Sequence, residues 1–192
     1  MAGRPRSFDR GAALRVAVEQ FWRSGYEGTS VAMLTAAMGV TPPSLYAAFG
    51  DKHHLFEEAS TWYFERTCEA VDRAATLPTA YEAIRQVLDD AARAHTDSAT
   101  PPGCLLLTEP RLGSQREVIR QRLKSRLDQA QRDGDLDATA DTERLASFLV
   151  AVMRGMSGCA RDGGTAEEVS AIAEVAAAAV LNASRPSQAA PA

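Results

Sequence analysis

The stretch from Thr29 to Lys52, T-S-V-A-M-L-T-A-A-M-G-V-T-P-P-S-L-Y-A-A-F-G-D-K, constrains the fold more than any other part of the chain. Val31, Leu34 and Met38 fall on one face of a short helix, and Thr29 or Ser30 can cap its start. Gly39 follows where the chain must reverse, since glycine enters the left-handed region without a Cβ penalty. Thr41 can cap a second helix. Prolines 42 and 43 suit its first turn, whose N–H groups lack helical partners anyway. Leu45 and Phe49, one turn apart, give this helix a buried face, and Pro43, Ser44 and Ala47 leave small side chains on the other. Two short helices joined by a tight turn in this way make the helix-turn-helix pattern, whose second helix enters the DNA major groove.

The charge distribution agrees with a nucleic-acid-facing head. The 192 residues carry a net charge of −4, but residues 1–50 are +2 and residues 51–192 are −6. A mildly basic head on an acidic body lets the head approach phosphate while the body stays in solution. The head is not strongly basic, so useful affinity calls for two heads at once. No apolar run is long enough to span a bilayer, and the Arg-bearing N-terminus lacks an apolar signal core, so a cytoplasmic protein without membrane contact is expected. Cys68, Cys104 and Cys159 are odd in number and widely spaced, as free thiols of a reducing compartment would be.

The remaining segments are helical in pattern. Residues 9–25 repeat Leu14, Ala17, Val18, Phe21 and Trp22 at helical spacing, and Gly25 ends them. A longer helix is expected from Lys52 to about Ala75, then one over 79–96 with Tyr81, Ile84, Leu88, Ala91 and His95 on one stripe. Residues 97–103 read as a loop. Gly103 to Thr108 is an apolar helix too short to stand alone, so it must be buried. Residues 115–133 place Ile119, Leu123 and Leu127 one turn apart and also carry Arg116, Arg120, Arg122, Lys124, Arg126 and Arg132. Such a basic run is more often a solvated helix face than a second nucleic-acid surface. Two final helices, about 140–160 and 166–183, bear the stripes Leu145, Phe148, Leu149, Val152, Met153, Met156 and Val169, Ile172, Val175, Ala176, Ala179, Val180. Thr165 and Glu168 form a capping box for the second. The fold class is therefore all-α, with about nine helices: an N-terminal three-helix helix-turn-helix domain over 1–52, a helical body over 53–183, to which the family resemblance given below assigns ligand binding and dimerisation, and a disordered tail over 184–192.

Within this pattern, Gly39-Val40-Thr41, Leu45-Tyr46 and Phe49-Gly50-Asp51-Lys52 resemble the TetR/AcrR family of transcriptional regulators. The resemblance is specific over residues 8–66 and loose beyond. It implies a ligand-responsive repressor that binds a palindromic double-stranded DNA operator as a homodimer, with the last two helices forming a four-helix bundle between two copies. It also implies phosphate contacts from Tyr46 and Lys52, and from Thr29, each a hydrogen-bond donor. Base reading falls to Thr41, Pro43, Ser44 and Ala47. None of these makes the bidentate contacts of Arg to guanine or Asn to adenine, so hydroxyl bonds and apolar contacts to thymine methyls are what remain, with DNA shape supplying the rest. Prolines 42 and 43 depart from the more polar pair common in the family. Arg4 and Arg6 read either as a minor-groove arm or as a tail.

The resemblance further implies an effector pocket inside the body, between the long connecting helix and the helices after Pro78. Candidates by face are Trp62, Tyr63, Arg66, Tyr81, Leu88, His95, Cys104, Leu107, Phe148 and Met153. Pro102-Gly103-Cys104-Leu105-Leu106 resembles a segment of a subset of these regulators, some of which sense electrophiles or oxidants through a cysteine, although a free Cys is usually a small buried hydrophobe. Gly155-Met156-Ser157 and Ala160-Arg161-Asp162-Gly163 resemble a subset in which one member responds to copper. Cys104, Cys159, Met153, Met156 and His95 are soft ligands, but no chelating spacing is visible. A thiol-based or metal-sensing repressor of the same fold is thus the alternative. No nucleophile–base set, phosphate-binding loop or metal motif points to an enzyme, and nothing calls for a cofactor. A helical-bundle carrier would have no use for the Tyr46 and Lys52 arrangement.

Overall fold

Helix boundaries follow from caps that the sequence supplies locally. The structure, a computed structural model, describes residues 9–183, and every regular element among them is helical. The α-helices are α1 (Arg10–Gly28), α2 (Val31–Met38), α3 (Pro42–Phe49), α4 (Lys52–Ala75), α5 (Ala80–Thr96), α6 (Leu105–Thr108), α7 (Gly113–Arg132), α8 (Thr142–Arg161) and α9 (Ala166–Ala183). A 3₁₀ turn, Pro110–Leu112, precedes α7. Asp9, Ser30, Thr41, Thr79 and Asp141 each accept an N–H from the first turn of the helix they cap. Full capping boxes stand at Thr79/Glu82 and Thr165/Glu168. Gly25 breaks α1 as expected, at φ 68° and ψ 175°, and one further helical turn follows before Gly28. No single helix among the described residues is long and apolar enough to cross a membrane.

Two packed units are present, one through Tyr63 and one from Phe64. In the first, Phe21, Leu34, Leu45 and Leu55 are fully buried. Phe56 meets Phe21 edge-on at 5.1 Å and Tyr26 at 5.0 Å. Tyr63 meets Trp22 at 5.0 Å. These aromatic contacts draw the first half of α4 into the same core as α1 to α3, so the packed unit runs past residue 52, where the helix-turn-helix pattern ends.

In the second unit α5 packs on α8 and α9, α7 on α8, and α6 on α7 and α8. Leu105, Leu106 and Leu107 are buried, as so short an apolar helix requires. The α5 stripe is Ala80, Ala83, Ile84, Val87, Leu88, Ala92 and His95, with Tyr81 and Ala91 half-buried at its edge. The loop before α6 is held tightly: the Gly103 N–H donates to the His95 carbonyl at 2.9 Å, and the Cys104 N–H to Ser157 Oγ at 2.9 Å. Gly103 has φ +77°, and a Cβ there would lie 2.7–2.8 Å from Arg161 and Ser157, so both backbone and space demand glycine.

The basic run of α7 is internally committed. Arg116 donates to the Leu106 and Glu109 carbonyls, and Arg126 to those of Leu77 and Pro78. Arg120 pairs with Glu117 and Glu143, Arg122 with Asp72, and Lys124 with Asp128. These cations are spent on neighbouring carboxylates and carbonyls rather than presented as a phosphate-binding surface.

The final two helices have two apolar sides. Leu149, Met153 and Met156 of α8, and Val169, Ala173, Ala176, Ala177 and Val180 of α9, are buried. Phe148, Ile172 and Val175 are 42%, 37% and 75% exposed. The expected stripes therefore mix inward-facing with outward-facing residues.

Candidate nucleic-acid interface

The turn between α2 and α3 is built by backbone bonds. Gly39 adopts φ 66° and ψ 34°; its N–H reaches the Ala36 carbonyl, and the Val40 N–H reaches that of Thr35 at 3.0 Å. This reversal sets α2 and α3 at 96°, the crossing expected of a helix-turn-helix. Leu45 and Phe49 anchor α3 in the core. Thr41, Pro42, Pro43, Ser44, Tyr46 and Ala47 are all exposed, so the four residues expected to read bases share an open surface.

A brace holds the far end of α3. Arg10 Nε donates to the Ala48 carbonyl at 3.2 Å, and its two terminal nitrogens donate to both Glu58 oxygens at 2.5 and 2.6 Å. Its guanidinium lies 4.6 Å from the centre of the Phe49 ring. One side chain thereby ties α1, α3 and α4 together. No local pattern announces this brace, because Glu58 is 48 positions away. Asp51 caps α4 by accepting the His54 N–H, a bond that holds its carboxyl below the usual carboxylate range.

Lys52 is half-buried, and its ammonium donates to the carbonyls of Tyr26 and Thr29, both at 2.9 Å, while lying 4.1 Å from the Tyr26 ring centre. It thus secures the corner between α1 and α2, and two of its three N–H groups are engaged there. Tyr46 is 47% exposed. Thr29 does not fit the expected phosphate role. It is 1% exposed, and its hydroxyl donates inward to the Gly25 carbonyl at 2.7 Å, so it serves as an internal tie after the break in α1. Ser30, not Thr29, caps α2. Arg4 and Arg6 lie outside the described residues, as does the segment 184–192.

The effector candidates are divided between the two units. Leu88, His95, Cys104, Leu107 and Met153 are buried in the second unit, and Tyr81 is half-buried there. Trp62 and Tyr63 are half-buried members of the first unit. Arg66 and Phe148 are exposed, so the expectation that these two line an interior is corrected: both side chains reach the surface of their helices. A narrow cleft in the second unit is lined instead by Val71, Ile84, Val87, Leu123, Arg122 and Arg126, among others. Cys104 is buried beside the buried Leu105 to Leu107, with the Arg116 guanidinium within electrostatic reach. Among the described residues, no three His, Cys, Asp or Glu side chains come together as a metal would need.

With this geometry in view, the likenesses to known proteins are consistent. Residues 13–59 match the family model described as bacterial regulatory proteins, tetR family. The chain is 34% identical over 187 residues to the HTH-type transcriptional repressor ComR of Escherichia coli K12, covering 89% of this chain and 88% of that protein. It is 32% identical to the repressor BdcR of the same organism, covering 93% and 92%. A cysteine-substituted form of the TetR family transcriptional regulator CifR, solved with 26-bp double-stranded operator DNA, superimposes with a TM-score of 0.87 at 36% identity, covering 93% of this chain and 100% of that one.

Proposed function

The chain belongs to the TetR family of bacterial transcriptional regulators, and on that footing we propose that it is a homodimeric, ligand-responsive repressor of a near-palindromic DNA operator. The observation that carries this reading is the exposed face of α3, set at 96° to α2 and braced at its far end by Arg10. Residues 1–52 supply the DNA contacts, and residues 53–183 the effector site and the dimer interface. Thr41, Pro43, Ser44 and Ala47 face the bases; Tyr46 and the remaining Lys52 N–H meet phosphates; Arg4 and Arg6 reach the minor groove. Two such heads on one face of the duplex call for half-sites about one helical turn apart, or a multiple of it.

Release follows from coupling. The helix α4 begins in the first unit and ends in the second. An effector bound in the body that prefers a different placement of α4 separates the two heads beyond the half-site spacing. Effector and operator then weaken each other's binding by the same factor. Relatives of nearly full length that carry the name repressor support this reading over an enzyme or a carrier.

A gel shift on the chain's own upstream DNA, repeated across salt concentrations, tests it. Wild-type protein is expected to retard a palindromic duplex, with affinity falling steeply as salt rises. Lys52→Ala is expected to weaken all duplexes alike and to flatten the salt slope by about one unit per head. Failure to retard any duplex at low ionic strength would sink the proposal. A lowered melting temperature with an unchanged slope would confine Lys52 to its structural corner.

A further inference from the structure

Resting on the operator-binding reading above, we propose that each half-site is discriminated chiefly through thymine C5-methyl groups, met by Pro43 and Ala47. These two residues lie one turn apart on the exposed side of α3, opposite the buried Leu45 and Phe49. The exposed α3 surface holds no Arg, Lys, Asn or Gln, so no bidentate reading of guanine or adenine is available to it.

Its hydroxyls do little to separate bases. Thr41 Oγ1 and Ser44 Oγ share a hydrogen bond of 2.9 Å, and the Ser44 N–H donates to Thr41 Oγ1 at 3.4 Å. One hydroxyl proton therefore lies between the two oxygens, and the pair keeps a single proton to offer. A lone donor is met equally by N7 of either purine, O6 of guanine or O4 of thymine, and the free lone pairs accept as readily from adenine as from cytosine. Backbone donors are also scarce. Pro42 and Pro43 occupy the first two helical positions, so two N–H groups that would open the helix start toward an anion do not exist. What this turn presents is pyrrolidine carbon and, one turn on, a methyl group. The apolar group that a major groove offers in return is the thymine methyl.

Operator duplexes in which deoxyuridine replaces thymidine test this directly, because they lose the methyl alone and leave the protein untouched. The probe is the full-length protein with its own operator, measured by fluorescence anisotropy at fixed salt. Replacement at a contacted position is expected to weaken binding about fourfold in one half-site and about fifteenfold in both. Exchanging a contacted T·A pair for C·G should weaken binding, and 5-methylcytosine at the same place should restore part of the loss. In Ala47→Gly the deoxyuridine penalty at one position per half-site should vanish. An operator fully substituted with deoxyuridine and bound as tightly as the thymidine form overturns the proposal. So do deoxyuridine penalties that persist unchanged in both Ala47→Gly and Pro43→Ala. If the thymidine operator itself is not bound, the operator reading has failed first.

Discussion

His95 is 3% exposed, and its Nδ1 has no hydrogen-bond partner among the described residues. Burial alone pushes its pKa down from 6.5 to about 4, so the folded protein holds the neutral ring. The folded-state pKa lies below the unfolded one, so this contribution is complete above about pH 6.5 and is lost as pH falls toward 4, reaching at most about 3 kcal/mol. Urea midpoints for wild type should fall between pH 7 and pH 4.5, and His95→Leu should lose much of that fall. A wild-type profile matched by the variant would show that His95 does not bind its proton in this way. The residue scale also separates roles that identity alone cannot: Thr29 and Thr41 are both hydroxyls near helix starts, yet one is sealed inside and the other open.

At the scale of elements, the link from α5 to α6 is a tight joint in the second unit. Gly103→Ala forces a left-handed backbone on alanine and drives its Cβ against the Ser157 carbonyl and the Arg161 chain. Gly134→Ala meets the same backbone cost, at φ +78°, but nothing within 4 Å. The second change is expected to cost about 1–2 kcal/mol and the first about 2–3 kcal/mol more. Chemical denaturation of the two variants side by side checks this, and equal midpoints would mean that the joint gives way cheaply. The caps at Ser30 and Thr41 and the Thr165/Glu168 box were legible in the sequence, because capping is decided within four residues. The brace from Arg10 to Ala48 and Glu58 was not, because it exists only once α1, α3 and α4 are packed.

At the scale of the whole molecule, the last two helices keep apolar side chains in the open. Phe148, Ile172 and Val175 leave an apolar surface on α8 and α9 after the inner faces of those helices are buried. A second copy covering that surface would join two heads of modest charge, and the gain in effective concentration, about a hundredfold or more, is what each head lacks alone. Val175→Asp is therefore expected to give a folded single subunit by sedimentation and to lose operator binding by a similar factor. A Val175→Asp protein that remains dimeric would place the interface elsewhere. Arg120, Arg122 and Lys124 of α7 pair with carboxylates, so these three cations do not compete for DNA.

What the sequence determined by itself was local: the helices seen among the described residues, the caps at Ser30 and Thr41, the reversal at Gly39 and the open face of α3. These depend on periodicity and on hydrogen bonds that span a turn, and both are written in neighbouring residues. Tertiary structure decided which side of each apolar helix faced inward, because α8 and α9 are apolar over more than one face and only packing on α5 and α7 selects between them. It also decided that Thr29 is internal, that Lys52 holds a corner, and that Arg116, Arg120, Arg122 and Arg126 of α7 are spent on neighbouring groups. Each outcome joins residues far apart in the chain, where burial fixes a partner that no spacing rule announces.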